Sequence, residues 1–423
     1  MRCRDNQATI ALCSYTHSVT QNPSQVNKPT QRNRAPIVLG ASLVQFTVIG
    51  GVFAYGVFFS TLETELGWSR TIMSACTSLA FLIMGLLAIS AGRLNDRFGP
   101  RWVLVASGLV YACGYSLLSW ITEPWQAILL FGVAVGIGMA THDIVTLSTV
   151  ARWFNTKRGR MTGVVKVGTA CGQITVPILA ALLIAEFGWR KSFLFMGLMA
   201  MVILMIGAWL IGGKPTEPNV TNNDGTEKQG LSFKEVRRTH QFWMFCALQF
   251  LFFPSLMTVP VHIVIHAEDL GFDATTAAAV LSSIGAVSIL GRLALGWSID
   301  QIGGKQGYIF CFSLLLISIM LLKQIEDPRY LFGFALIYGF AHGGFFTIVS
   351  PTLAEFFGMR AIGTIFGTVV FFGTLSGAAG PLVAGWIFDS QGSYDMAFLL
   401  LATLAAIGLL TTLRLNHIEE PSR

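Results

Sequence analysis

Twelve stretches of the 423-residue chain are long and apolar enough to cross a bilayer, and no other feature of the sequence constrains its fold as tightly. They run 37–62, 71–91, 102–122, 125–151, 161–185, 192–213, 241–267, 274–299, 308–325, 330–354, 362–388 and 396–413. A spanning helix needs about 20 mostly apolar residues. Inside hydrocarbon every backbone amide must find a partner within its own segment or a neighbouring one, so even the runs rich in glycine and proline predict helices. Only 12% of the residues are charged, against roughly 25% in a soluble domain. The expected fold is an all-α membrane protein with twelve transmembrane helices in contact with a lipid bilayer, and a soluble enzyme of this length is excluded.

The few charges carry an address. Counted on alternate sides of the twelve runs, 21 Lys and Arg fall on the side of the amino terminus and five on the other. Basic loops stay in the cytoplasm, so a multi-pass protein of the plasma (inner) membrane with both termini cytoplasmic is expected. The net charge of +6 is then topological and gives no support for a nucleic-acid partner. Residues 1–36 form a polar tail without the apolar core of a cleavable signal. Two blocks of six runs, 37–213 and 241–413, flank a polar central loop at 214–240, where Ser232 and Glu235 fit a capping box that opens a short helix. A second tail covers 414–423. The seven cysteines have no metal-type spacing. No nucleophile and base, cofactor motif or metal cluster is legible, so an enzyme is not expected.

The two blocks repeat. A shift of 204 residues superposes Gln45-Phe46 on Gln249-Phe250, Leu66-Gly67 on Leu270-Gly271, Gly92 on Gly296, Asp96 on Asp300, Gly99 on Gly303, Gly163 on Gly367, and Pro177 on Pro381. Two pseudo-symmetric six-helix bundles follow, an arrangement that places a substrate site between the halves near the bilayer midplane. The loop after the second run reads Gly92-Arg-Leu-Asn-Asp96-Arg97-Phe-Gly99-Pro-Arg101. It resembles the cytoplasmic signature of the major facilitator superfamily, with a weaker echo from Gly296 through Asp300 and Gly303 to Lys305. Glycines there permit a tight turn. Asp96 and Asp300 can each accept hydrogen bonds from a helix N-terminus or pair with a basic residue, which makes Gly92, Asp96, Arg97, Gly99, Arg101 and Asp300 candidate gating residues.

Three charges have no topological explanation. Lys166, Arg292 and Asp143 lie within spanning runs, where an ionisable side chain costs roughly 2.5 to 3.5 kcal/mol to insert and is functional by default. At about 1.5 Å per residue all three sit at a similar depth, so they can form one layer. At the 204 shift Lys166 meets Val370, Arg292 meets Ala88 and Asp143 meets Thr347, so none of the charges is duplicated. A buried guanidinium can bind a carboxylate through two parallel bonds, which makes Arg292 the candidate substrate ligand. The competing reading is a structural pair with Asp143 or with backbone carbonyls. Asp143 either exchanges a proton, with His142 and Lys166 as partners, or forms a permanent bridge to Lys166. His342 and Tyr338, one helical turn apart, are candidate cavity residues, and His262 joins them as an ionisable residue in a spanning run.

Within the superfamily, the run from Arg152-Trp153-Phe154 through Lys157-Arg158 to Gly163, together with Arg292, resembles the monocarboxylate transporters and oxalate/formate antiporters. The resemblance implies a cavity lined in part by the first segment, with Phe53 and Tyr55, and an arginine in segment eight that binds the substrate carboxylate. Departures narrow the substrate. Ser288 stands where relatives place an aspartate before that arginine, segment one has no lysine, and segment eleven has no Lys or Arg. One central arginine favours a singly charged anion over a dicarboxylate. The expectation is a proton-coupled symporter of small monocarboxylates of the lactate and pyruvate type, whose partners are a small organic anion and a proton. Alternatives are an organic-anion antiporter of the oxalate/formate type, a drug exporter or a transceptor.

Overall fold

The computed structural model describes residues 34–416 except 69, 155–156, 214–229 and 326. The expected amino-terminal tail, most of the central loop and most of the carboxyl tail therefore lie outside the described residues. The spanning helices are α1 (Ala35–Tyr55), α2 (Arg70–Phe98), α3 (Pro100–Leu117) and α4 (Pro124–Trp153). A continuous run from Arg158–Ile211 follows. In the second half come α7 (His240–Asp269), α8 (Ala274–Ile302), α9 (Gly304–Leu322), α10 (Leu331–Phe357), α11 (Ile362–Gln391) and α12 (Asp395–Leu413).

The run Arg158–Ile211 has 54 residues, about 80 Å of straight helix and far more than the roughly 30 Å hydrocarbon core. It folds back at Gly188, whose φ of 73° is left-handed, and so divides into α5 (158–187) and α6 (189–211). The sequence predicts a loop over 186–191; a single glycine makes the turn because only a residue without a Cβ adopts that conformation at little cost. This gives twelve spans.

The repeat is visible in the backbone. Positive-φ glycines pair at the 204 shift: Gly67 with Gly271 (67° and 99°), Gly99 with Gly303 (85° and 82°), and Gly188 with Gly392 (73° and 71°). Glycines also set the crossings between halves. A Cβ on Gly92 of α2 would lie 2.5 Å from the Gly363 carbonyl carbon of α11, and one on Gly296 of α8 would lie 2.6 Å from the Gly159 carbonyl oxygen of α5. Gly92 and Gly363 are the 204-shift mates of Gly296 and Gly159, so one close packing occurs twice.

Two N-terminal helices break the symmetry. α1 ends in a 3₁₀ turn at Gly56–Phe58 and a short helix at Phe59–Leu66, whereas α7 is continuous through Pro254 and Pro260. α4 contains a π-helical stretch at Ile128–Val135 and a break before His142–Trp153, whereas α10 is unbroken. π-helical insertions are frequently found at functional sites. Outside, large apolar side chains such as Trp102, Trp209, Trp386 and Leu382 are about 70% exposed, a surface suited to lipid and its interfaces. Before α7, Ser232 and Glu235 close the expected capping box around the one-turn helix Phe233–Val236.

Candidate functional site

The break in α4 places His142 and Asp143 in the first turn of the new helical stretch, where the positive end of the helix dipole favours a carboxylate. Asp143 Oδ1 accepts from Lys166 Nζ of α5 and from Gln45 Nε2 of α1 at 2.7 Å. Gln45 is fully buried and joins three helices. Its Nε2 also donates to Thr146 Oγ1 at 2.9 Å, and its Oε1 accepts from Thr169 Oγ1 at 2.8 Å. His142 Nδ1 donates to the Met139 carbonyl at 2.6 Å, and its Nε2 lies 3.6 Å from Asp143 Oδ1. A bridge between Asp143 and Lys166, one of the two readings of Asp143, is present inside a network that satisfies both charges.

Arg292 of α8 is placed otherwise. It is 0% exposed, yet among the described residues its Nε, Nη1 and Nη2 donate no hydrogen bond. Neither Asp143 nor a backbone carbonyl pairs with it. The guanidinium carbon lies 5.8 Å from the ring centroid of Phe346 in α10. Lys166 Nζ lies 5.4 Å from the same centroid, so one aromatic ring touches both interior cations, as a shared depth requires. The ring of His342 lies 5.0 Å from that of Phe346, and its Nδ1 has no hydrogen-bond partner among the described residues.

A narrow cavity lies between the halves. His142, Asp143 and Met139 line it from α4, Gln249 from α7, Phe346 from α10 and Val370 from α11. Of the sequence candidates, His142 and Asp143 line it; Arg292, Lys166 and His342 lie against the ring of Phe346, which is part of its wall. Four candidates are elsewhere. Tyr55 stacks on Phe131 at 3.7 Å within the N-terminal half. Phe53 is exposed. His262 bridges Tyr394 Oη and the Pro381 carbonyl at 3.1 Å each, tying α7 to α11 and α12. Tyr338 is buried, its hydroxyl donating to the Ser255 carbonyl at 2.9 Å, and supports α10 from behind.

At the end of the molecule bearing the basic loops, the two signature aspartates each hold the opposite half. Asp96 accepts from Thr364 N at 3.1 Å and Thr364 Oγ1 at 3.0 Å, at the start of α11, and pairs with Arg152. Asp300 accepts from Gly159 N at 2.7 Å and Arg160 N at 2.9 Å, at the start of α5. Both are carboxylates at helix N-termini, as the loop pattern predicts. Gly92 lies in the crossing itself, and Gly99 makes the left-handed turn into α3. Arg101 does not cross between halves; it donates to the Trp209 carbonyl of α6 at 3.1 Å. Arg97 is exposed and lies against Phe98.

The chain matches the model of the Major Facilitator Superfamily over residues 41–323 and 257–423. It belongs to that superfamily. The superfamily's proteins are multi-pass membrane transporters of small solutes. Monocarboxylate transporter 13 of Bos taurus is 25% identical over 381 residues, covering 89% of this chain and 88% of the relative. MFS transporter asaE of Aspergillus flavus is 24% identical over 360 residues, covering 84% and 80%. The crystal structure of the superfamily transporter FucP in the outward conformation superposes with a TM-score of 0.70 at 16% identity, covering 90% of this chain and 99% of that one.

In this superfamily member two site residues escape a search for charge. Gln45 organises the Asp143 network and Phe346 contacts both cations, but glutamine and phenylalanine are unremarkable in apolar runs. The available signal was the repeat, since Gln45 is one of the positions that recurs across the halves.

Proposed function

We propose that this transporter carries a small monocarboxylate together with a proton by alternating access. The observation that carries the reading is Arg292, a fully buried guanidinium with three unpartnered nitrogens. Such a group is costly to bury without a counter-charge, and a carboxylate supplies that charge with two parallel hydrogen bonds. Lys166 and Asp143 cancel each other, so the interior carries one uncompensated positive charge. A single anionic charge neutralises it, whereas a dicarboxylate leaves one over. The similarity to proteins named monocarboxylate transporters supports the same choice.

Proton coupling follows from charge balance. A proton on Asp143 releases Lys166, which makes the cavity more attractive to an anion, and by reciprocity the anion favours that proton. His142, against Asp143, completes the route. The form holding the proton alone buries two unpaired cations and does not rock between states. The Asp96 and Asp300 contacts form the closed cytoplasmic gate, with Gly92 and Gly99 allowing the approach and Arg97 and Arg101 holding its flanks. Both termini then face the cytoplasm at the plasma (inner) membrane, as the basic loops require.

One observation favours a second reading. With Asp143 already held by Lys166 and Gln45, an anion on Arg292 alone leaves every interior charge paired, which suits exchange of anions without a proton. Uptake of labelled lactate or pyruvate into proteoliposomes, with and without an inward proton gradient, separates the two. Stimulation by the gradient supports symport; exchange indifferent to it rejects symport in favour of an antiporter.

A further inference from the structure

Gln249 is the repeat mate of Gln45, and its surroundings have been emptied. The partners of Gln45 are Asp143, Thr146, Lys166 and Thr169, with the carbonyl of His142 at 3.3 Å. At the 204 shift their positions hold Thr347, Ser350, Val370, Gly373 and Phe346. The loss at Gly373 is decisive. Where Thr169 gives its hydroxyl to the Gln45 oxygen, α11 has no side chain at all, and a Cβ on Gly373 would lie 2.6 Å from Gln249 Cγ and 3.0 Å from its Nε2. Gln249 is only 2% exposed, its Oε1 accepts no hydrogen bond, and the residue lines the inter-half cavity facing His142 and Asp143. A buried amide oxygen without a donor costs about as much as a lost hydrogen bond.

We propose that Gln249 is a substrate-binding residue that reads a hydroxyl group on the carried anion. The orphaned atom is an acceptor, so its partner must donate. A hydroxyl donates; a keto oxygen does not. An ammonium donates too, but the net positive interior repels it. The substrate class is therefore a monocarboxylate bearing a hydroxyl, its carboxylate on Arg292 and its hydroxyl on Gln249. This assignment rests on the monocarboxylate reading above. The same carboxamide is structural in one half and substrate-facing in the other.

The test is uptake of lactate and of propionate, which lacks the hydroxyl, by full-length wild type and Gln249→Leu in proteoliposomes. Thermal unfolding of each purified protein without ligand is measured alongside. The wild type is expected to prefer lactate by roughly fivefold to tenfold, the equivalent of one buried hydrogen bond. Gln249→Leu is expected to lose that preference, keep propionate uptake, and unfold at or above the wild-type temperature because no hydrogen bond is removed. A substitution that lowers both uptakes equally, leaves the ratio unchanged, or lowers the unfolding temperature as a structural glutamine would, overturns the Gln249 assignment alone. Absence of both uptakes in the wild type overturns the monocarboxylate reading and the hydroxyl assignment with it.

Discussion

The two halves share a backbone and divide the chemistry. Left-handed glycines, glycine crossings and aspartate-capped helix starts recur at one spacing, because each answers a geometric need that both halves have. The interior charges do not recur. The N-terminal half holds a satisfied network of Gln45, Asp143, Lys166, Thr146 and Thr169; the C-terminal half holds Arg292 and Gln249 with unpartnered atoms. One half has resolved its charges internally, and the other presents groups that need an external partner. A duplicated frame can thus assign proton handling to one copy and anion binding to the other.

The comparison can be broken by copying one half into the other. Asp143→Thr installs the C-terminal residue but strands Lys166 as a buried unpaired cation, expected to destabilise by about 3 to 5 kcal/mol. Adding Lys166→Val removes the stranded charge and recovers most of that loss, since a buried pair replaced by apolar groups is often neutral. Thermal unfolding of the single and double variants checks this; a single variant as stable as wild type would mean that Lys166 does not depend on Asp143. The double variant is also expected to lose stimulation of uptake by a proton gradient.

The paired glutamines give the next largest contrast. Gln45→Leu leaves Asp143, Thr146 and Thr169 short of a partner and is expected to cost about 1 to 3 kcal/mol in unfolding experiments, whereas Gln249→Leu is close to neutral. Equal costs would erase the distinction between the two sites. The gate aspartates should differ less. A hydrogen bond to a charged group is worth about 1.5 to 3 kcal/mol; Asp96→Asn loses the ion pair with Arg152 as well as the charge on its bonds from Thr364, whereas Asp300→Asn loses the charge on its bonds from two backbone amides. Labelling of a single cysteine introduced at the α2–α11 crossing in a cysteine-free background reads the result: more labelling in Asp96→Asn than in Asp300→Asn. The smallest effect is expected at His262. With its ring bound to Tyr394 and the Pro381 carbonyl, His262→Gln should leave uptake within about twofold of wild type, and a large loss would return it to the cavity.

Spans were legible in the sequence because length and apolar content decide them, and even the merged α5–α6 run divides where the sequence places a boundary. Asp143, Lys166 and Arg292 were legible because charge in hydrocarbon is rare. Which of them lacks a partner was not, since pairing depends on rotamers and helix rotation that spacing leaves free. The sequence marks Phe53, Tyr55 and His262 by the segment that carries them and leaves open the face they occupy. α1 is apolar all round, so its sequence gives no sign of which side meets the cavity. Gln45 and Gln249 were visible as a repeat, but their opposite environments depend on neighbours from other helices.

The central claim is that the unpartnered guanidinium of Arg292 binds the substrate carboxylate, and Arg292→Lys tests it most directly. The lysine keeps the charge and loses the two-pronged geometry. Labelled lactate uptake by this variant in proteoliposomes, at unchanged protein yield and unfolding temperature, is expected to fall by about tenfold or more. Uptake at the wild-type rate would contradict the account and make Arg292 a structural residue.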